Sequence, residues 1–191
     1  MAAAGSDFYK PMNKNGRSDI DLVAEAKRFP ELSNKFMGVY PKDRIPKLQG
    51  AQCCIVNLQN SVDGKGRPLP GTHWIACGKR GGDSWAFDSY GMPPPLEVLR
   101  ALEPYHSLAS NKRDVQALDS VYCGDYALGA CVALSHSPGL SVKEALDQYC
   151  ARFNQFDLRK NDRILEEFLN QSRRHVSGSG IVYEAFPGGN M

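Results

Sequence analysis

A single domain holding both strands and helices is predicted by three features of this sequence. Short β-rich runs gather between residues 53 and 90 around a pair of glycines, and apolar residues recur at helical spacing before and after them. The chain has 191 residues, 42% of them apolar, which is enough for one core and tight for two. Charged residues make up 23%, with a net charge of +2 and a pI near 8.2. That balance is ordinary for a water-soluble domain and too mild to mark a nucleic-acid binder.

The first 17 residues are small and polar and read as a loose tail. A helix is expected from Ser18, with serine as its cap, Asp19 and Asp21 in the first turn, and Ile20, Val23, Ala24 and Ala26 at helical spacing. Pro30 ends it or opens a short further turn. Phe36 to Pro46 shows no period and is expected to be ordered loop. Cys53 to Leu58 reads as a buried strand, and residues 60–71, rich in glycine and proline, as a loop. Strands near 73–78 and 84–90 follow, joined through Gly81-Gly82 in a hairpin. Pro93-Pro94-Pro95 leads into a helix over 96–102, and after a polar stretch a strand is expected within Val115 to Val121. Tyr126 to Leu134 is apolar on every side, the mark of a helix sunk in the core, with Ser137-Pro138-Gly139 as its stop. Ser141 and Glu144 form a capping box for the next helix, carried by Val142, Ala145, Leu146 and Tyr149. A last helix is expected over 161–171, within a domain bounded at 18 and 172, and residues 173–191 read as a second loose tail.

The six cysteines, at 53, 54, 77, 123, 131 and 150, show neither metal-site nor redox spacing, so free thiols in a reducing compartment are expected. The N-terminal residues lack the pattern of a secretory signal, and no run suits a membrane span.

Cys123 stands just before the buried helix. A thiol there meets the positive end of the helix dipole and free backbone N–H groups, which favour thiolate, and Gly124 lets a substrate come close. His73 opens a strand after a flexible loop, at a sheet edge. If the hairpin turn holds an even number of residues about Gly81-Gly82, positions summing to 163 face each other. His73 then faces Tyr90 and Ile75 faces Asp88, which makes His73 and Asp88 diagonal neighbours on one face. An odd turn puts them on opposite faces. The other histidines, 106, 136 and 175, have no acid so placed. Each residue alone has a plainer reading: a core cysteine, a loop histidine, an aspartate capping the turn at Ser89-Tyr90-Gly91, a tryptophan packing the core. Gln116 carries no weight by itself.

Together these residues resemble the adenovirus protease (adenain) family and, more distantly, the proteases of ubiquitin-like proteins. The likeness lies in His73-Trp74, in Phe87-Asp88-Ser89-Tyr90-Gly91, and in Gln116 followed seven residues later by Cys123-Gly124. Phe36-Met37-Gly38-Val39-Tyr40, Asp43-Arg44-Ile45-Pro46 and Ile55-Val56-Asn57-Leu58 look like the corresponding proteases of Polinton-type transposons and related double-stranded DNA viruses. It spans roughly residues 18–170. The resemblance implies an α+β fold, a central mixed sheet flanked by helices, with the nucleophile at a buried helix N-terminus. It implies a cysteine endopeptidase with Cys123 as nucleophile, His73 as base, Asp88 orienting the base and Gln116 donating to the oxyanion. Trp74 and Gly124 would wall a narrow cleft suited to glycine-containing sites in capsid or core precursors. No metal or organic cofactor is required, and a monomer in host nucleus, cytoplasm or virion is implied.

One departure stands out: adenovirus proteases take an activating peptide through a cysteine between acid and nucleophile, and residues 89–122 contain none. DNA remains a candidate activator through Lys112, Arg113, Arg173 and Arg174, although scattered surface charge explains these equally well. Phe186-Pro187-Gly188-Gly189 offers a site for self-cleavage. A processing or deconjugating protease for ubiquitin-like proteins is the alternative enzyme, and a non-catalytic binding module keeping the fold is the alternative of another class.

Overall fold

The computed structural model describes residues 15–137 and 139–174. In chain order these form α1 (Asp19–Ala26), β1 (Phe36–Pro41), β2 (Cys53–Asn57), β3 (Trp74–Arg80), β4 (Asp83–Phe87), α2 (Leu96–Leu102), β5 (Ser107–Ser110), α3 (Cys123–Ser135), α4 (Val142–Ala151) and α5 (Asn161–Arg174). The five strands make one sheet in the order β1-β2-β3-β4-β5. Its centre is antiparallel and both edge pairs are parallel. The fold is α+β: a mixed sheet flanked by helices.

Strand alternation sorts the core into two layers. Cys53, Ile55, Ala76, Trp85 and Phe87 point to the face covered by α1, α3, α4 and α5, where Phe29, Tyr126, Leu128, Tyr149 and Leu165 are buried. Cys54, Val56, Ile75, Cys77 and Ala86 point to the other face, closed by Leu48 and by Val98 and Leu102 of α2. Helix α3 is buried nearly all round, as its unbroken apolar run predicts. Both expected caps form: Ser18 makes a capping box with Asp21, and Ser141 one with Glu144.

Two strand expectations are corrected. Phe36–Pro41, read as loop, is the edge strand β1. Gly38 adopts φ +128° and the register with β2 slips between Phe36 and Val39, so no alternation marks the segment. Val115 to Val121 contains no strand. The Val115 and Gln116 N–H groups both donate to Ser89 O, at 2.8 and 3.1 Å, and Asn161 Nδ2 donates to Val115 O at 2.8 Å. A loop carbonyl and a side-chain amide thus take the place of a partner strand. The fifth strand instead lies in the polar stretch before it, at Ser107–Ser110.

Arg17, placed in the N-terminal tail by its sequence, lies inside the domain. Its Nε donates to Asp125 Oδ1 of α3 at 2.5 Å, the two side chains being 7% and 0% exposed. Arg173, near the end of α5, pairs with Glu25 of α1 and lies over the Phe29 ring. A buried ion pair that loses one partner is costly. Asp125→Ala is therefore expected to lower stability by about 3–5 kcal/mol, read as a fall in the urea midpoint. The tail residues 1–14, Pro138, and residues 175–191 with His175 and the Phe186–Gly189 segment lie outside the described residues. Among the described residues no helix is long and apolar enough to cross a membrane.

Candidate active site

The hairpin register decides the site. Arg80 pairs with Asp83 across Gly81-Gly82, and Ala76 with Phe87, so paired positions sum to 163 as the even turn requires. Gly81 sits at φ +65°, a conformation glycine adopts without penalty. His73 and Asp88 lie one residue outside the two strands. The His73 carbonyl accepts from Leu58 N at 3.0 Å, which carries the β2–β3 ladder one step further.

His73 Nε2 is 2.9 Å from Asp88 Oδ1, with the two side chains 16% and 6% exposed. The same Oδ1 accepts from Tyr90 N at 2.8 Å. The Tyr90 ring stacks on the imidazole, centroids 4.8 Å apart. Burial pulls the His73 pKa down, but hydrogen bonding with Asp88 and Cys123 and their negative charges outweigh it and raise it to about 9. With Nε2 held by Asp88, Nδ1 is the ring nitrogen left for the sulfur.

Cys123 is the first residue of α3. It is the one thiol of the six that is not buried. Burial pushes the Cys131 thiol well up and the Cys150 thiol up to about 11; Cys54 is raised by its hydrogen bond to Cys77 and then by burial. Unlike α1 and α4, helix α3 starts without a side-chain cap, at Tyr122. Its first N–H groups are therefore free of an N-cap oxygen and available to an anion.

Gln116 is 1% exposed and is held from two sides. Its Oε1 accepts from Ser89 Oγ at 2.6 Å, and its Nε2 donates to Ser120 O at 2.9 Å and lies 3.3 Å from Ser120 Oγ. Ser120 O can only accept, which fixes the amide's orientation. Gln116 is thus anchored beside Asp88 through Ser89 and three residues before Cys123 through Ser120, with no direct hydrogen bond to Cys123 among the described residues. His73, Asp88 and Cys123 come together; Gln116 stands next to them.

Sequence reasoning missed the supports. Asn111, 8% exposed, accepts from Asp88 N at 3.0 Å and donates to Asp88 O at 2.5 Å, gripping both backbone groups of the acid. Ser120 Oγ and Tyr126 OH both donate to Asp162 Oδ1, at 2.9 and 3.0 Å. No spacing signal marks these residues, since each acts across a long stretch of chain. His136, for which the sequence suggested no acid, lies 3.8 Å from Glu31 Oε1.

Trp74 bridges two glycines. A Cβ on Gly124 would come within 3.3 Å of its Cδ1, and a Cβ on Gly71 within 2.8 Å of its Cζ2. Gly71→Ala is expected to displace the indole while Cys123 stays reactive toward a small alkylating agent; a shift in tryptophan fluorescence with an unchanged alkylation rate checks this. Of the basic residues considered for DNA, Arg113 donates to Cys150 O at 2.8 Å and Arg173 to the Glu25 cluster, so both serve the fold. Among the described residues no group of three or more His, Cys, Asp or Glu is arranged to hold a metal ion.

Neither the protein-family profiles nor the curated proteins give a match to this chain. Among solved structures, the crystal structure of the selenomethionine form of the ASFV pS273R protease is a distant likeness, at 18% identity and a TM-score of 0.36, covering 63% of this chain and 43% of that one. The match spans less than half of that protein, and the chemistry assigned to the site rests on its own geometry.

Proposed function

We propose that this chain is a cysteine endopeptidase, a thiol protease of adenain-like type, which cuts polypeptides at glycine-containing sites. The observation that carries this reading is the His73 ring, bonded to Asp88 at 2.9 Å on one side, with the Cys123 thiol at the start of α3 as its other side-chain hydrogen-bond partner.

The His73 imidazole takes the Cys123 proton, and Asp88 holds the ring and balances its positive form. The sulfur attacks the scissile carbonyl carbon. The resulting oxyanion is received by the N–H groups at the start of α3, and this reading gives Gln116 Nε2 the part of a further donor, which it plays by swinging as a whole away from Ser120. Collapse breaks the C–N bond as His73 gives its proton to the departing amine, leaving an acyl-enzyme. Water, deprotonated by His73, then releases the carboxylate product and restores the thiol–imidazole pair. Capsid or core precursors of a double-stranded DNA virus or Polinton-type element are the substrates this reading favours.

The test is a substrate panel containing Gly-Gly and Gly-x-Gly peptides and a ubiquitin-like Gly-Gly fusion, with products identified by mass spectrometry. Cleavage next to glycine, together with labelling of Cys123 by a thiol-directed peptide probe, is the expected result. A probe that labels the protein equally after Cys123→Ala excludes this nucleophile.

A further inference from the structure

A cavity of about 620 Å³ opens beside Trp74, lined among others by Tyr40, Asn57, Asn60, Gly71 and Arg17. Asn57, the last residue of β2, is 8% exposed and lies on its wall. Its Oδ1 accepts from Gln59 N at 3.0 Å and from Thr72 N at 3.4 Å. Both partners are backbone donors, so the amide cannot be reversed without losing both bonds. The Nδ2 group is thereby turned the other way, against Gly71, where a Cβ would come within 2.8 Å of it. Among the described residues, Nδ2 donates to no partner, although the rest of the side chain is fully used.

A nearly buried amide that spends its oxygen on the fold and leaves its nitrogen facing a cavity is a donor kept for a ligand. The indole connects this donor to the chemistry: its five-membered ring lies against Gly124, next to Cys123, and its six-membered ring against Gly71 and hence Asn57. An extended polypeptide passing Cys123 along Trp74 reaches the Asn57 amide within a few residues of the cut, and what such a chain offers at every residue is a backbone carbonyl.

We propose that Asn57 Nδ2 is a substrate-binding donor that takes a backbone carbonyl of the polypeptide lying in this cavity. The proposal rests on the protease reading above and adds a subsite to it. It makes part of the affinity independent of side-chain identity, and it accounts for glycine at position 71, since any Cβ there strikes the donor.

Asn57→Asp tests this, because a carboxylate keeps both acceptor bonds to Gln59 and Thr72 and puts a charged acceptor where the donor was. The expected result is a KM for the cleaved peptide raised about 10-fold, which corresponds to about 1.4 kcal/mol, with the loss falling on KM rather than kcat. In a series of substrates carrying a thioamide at successive positions, the native enzyme is penalised at one carbonyl and Asn57→Asp is not. Alkylation of Cys123 by iodoacetamide, too small to need the cavity, reports whether the site has survived the change. A KM that does not move, or one that rises only as far as alkylation slows, overturns the subsite. Failure of the protease reading looks different: the native protein then cleaves nothing in the panel, and Cys123 is alkylated no faster than a free thiol.

Discussion

Cys123→Ala is expected to abolish peptide hydrolysis, with a loss on the order of a million-fold in kcat, the size seen when the nucleophile of a triad is removed. No other thiol can take over. Cys54, Cys77 and Cys131 are 0% exposed, Cys53 is 2% and Cys150 8%. All five lie in strands or helices of the core, away from the imidazole, and burial or hydrogen bonding holds Cys54, Cys131 and Cys150 in the thiol form. The substitution is small and sits at a helix start, so the folded state should persist. Circular dichroism and the urea midpoint, compared with the native protein, separate lost chemistry from lost structure. Retention of even one per cent of the native rate would mean that the sulfur of residue 123 is not the attacking atom.

Asp88→Asn is the second large effect, and pH gives it a sign. The folded-state pKa of His73 is raised, to about 9 from an ordinary 6.5. A raised histidine contributes stability that is fully present below about pH 6.5 and is lost as pH climbs through about 9. In the proposed mechanism the same proton supports catalysis, because the imidazolium both balances the thiolate and protonates the leaving amine. Activity should therefore fall on the alkaline side with an apparent pKa near 9, as the His73 proton is lost. An asparagine at 88 keeps an oxygen for the Tyr90 N–H but removes the charge beside the ring. The expected result is a kcat lower by about ten-thousand-fold, with the alkaline limb of the residual activity moved to lower pH. An unshifted limb in Asp88→Asn would show that this carboxylate does not set the imidazole's charge.

Tyr90 and Asn111 explain why so small a constellation holds its shape. The ring of Tyr90 covers one side of the imidazole, and its backbone N–H shares the Asp88 oxygen that His73 uses. Asn111 ties down the Asp88 peptide from the end of β5, so the acid is fixed by its backbone as well as by its carboxylate. Two residues that carry no reacting atom, one in the turn after β4 and one directly after β5, thus hold Asp88 and the imidazole in place. The short, polar sequence around Asn111 gives no sign of that task.

Several parts of this molecule were legible in one dimension because the forces behind them act over a few residues. The capping boxes at Ser18 and Ser141 follow from side chains three positions from their partners. For the β3–β4 hairpin the sequence left two turn lengths open, and the even one, found here, is the one that lets His73 and Asp88 meet. The all-apolar run after Cys123 could only be a helix buried in the core, which put the sulfur at that helix's first turn.

Tertiary structure alone decided the rest. The edge strands β1 and β5 exist because β2 and β4 offer them backbone partners, a long-range pairing that neither segment's own pattern encodes. Val115 looks like strand but has its hydrogen bonds met by Ser89 and Asn161, far away in the chain. The Gln116 and Asn57 amides each take one partner close in sequence, Ser120 O or Gln59 N, and complete their bonding with Ser89 Oγ or Thr72 N, which arrive from other parts of the chain. Local chemistry chooses turns, caps and periodicities; which way a buried amide points depends on groups that only the finished packing brings within hydrogen-bond reach.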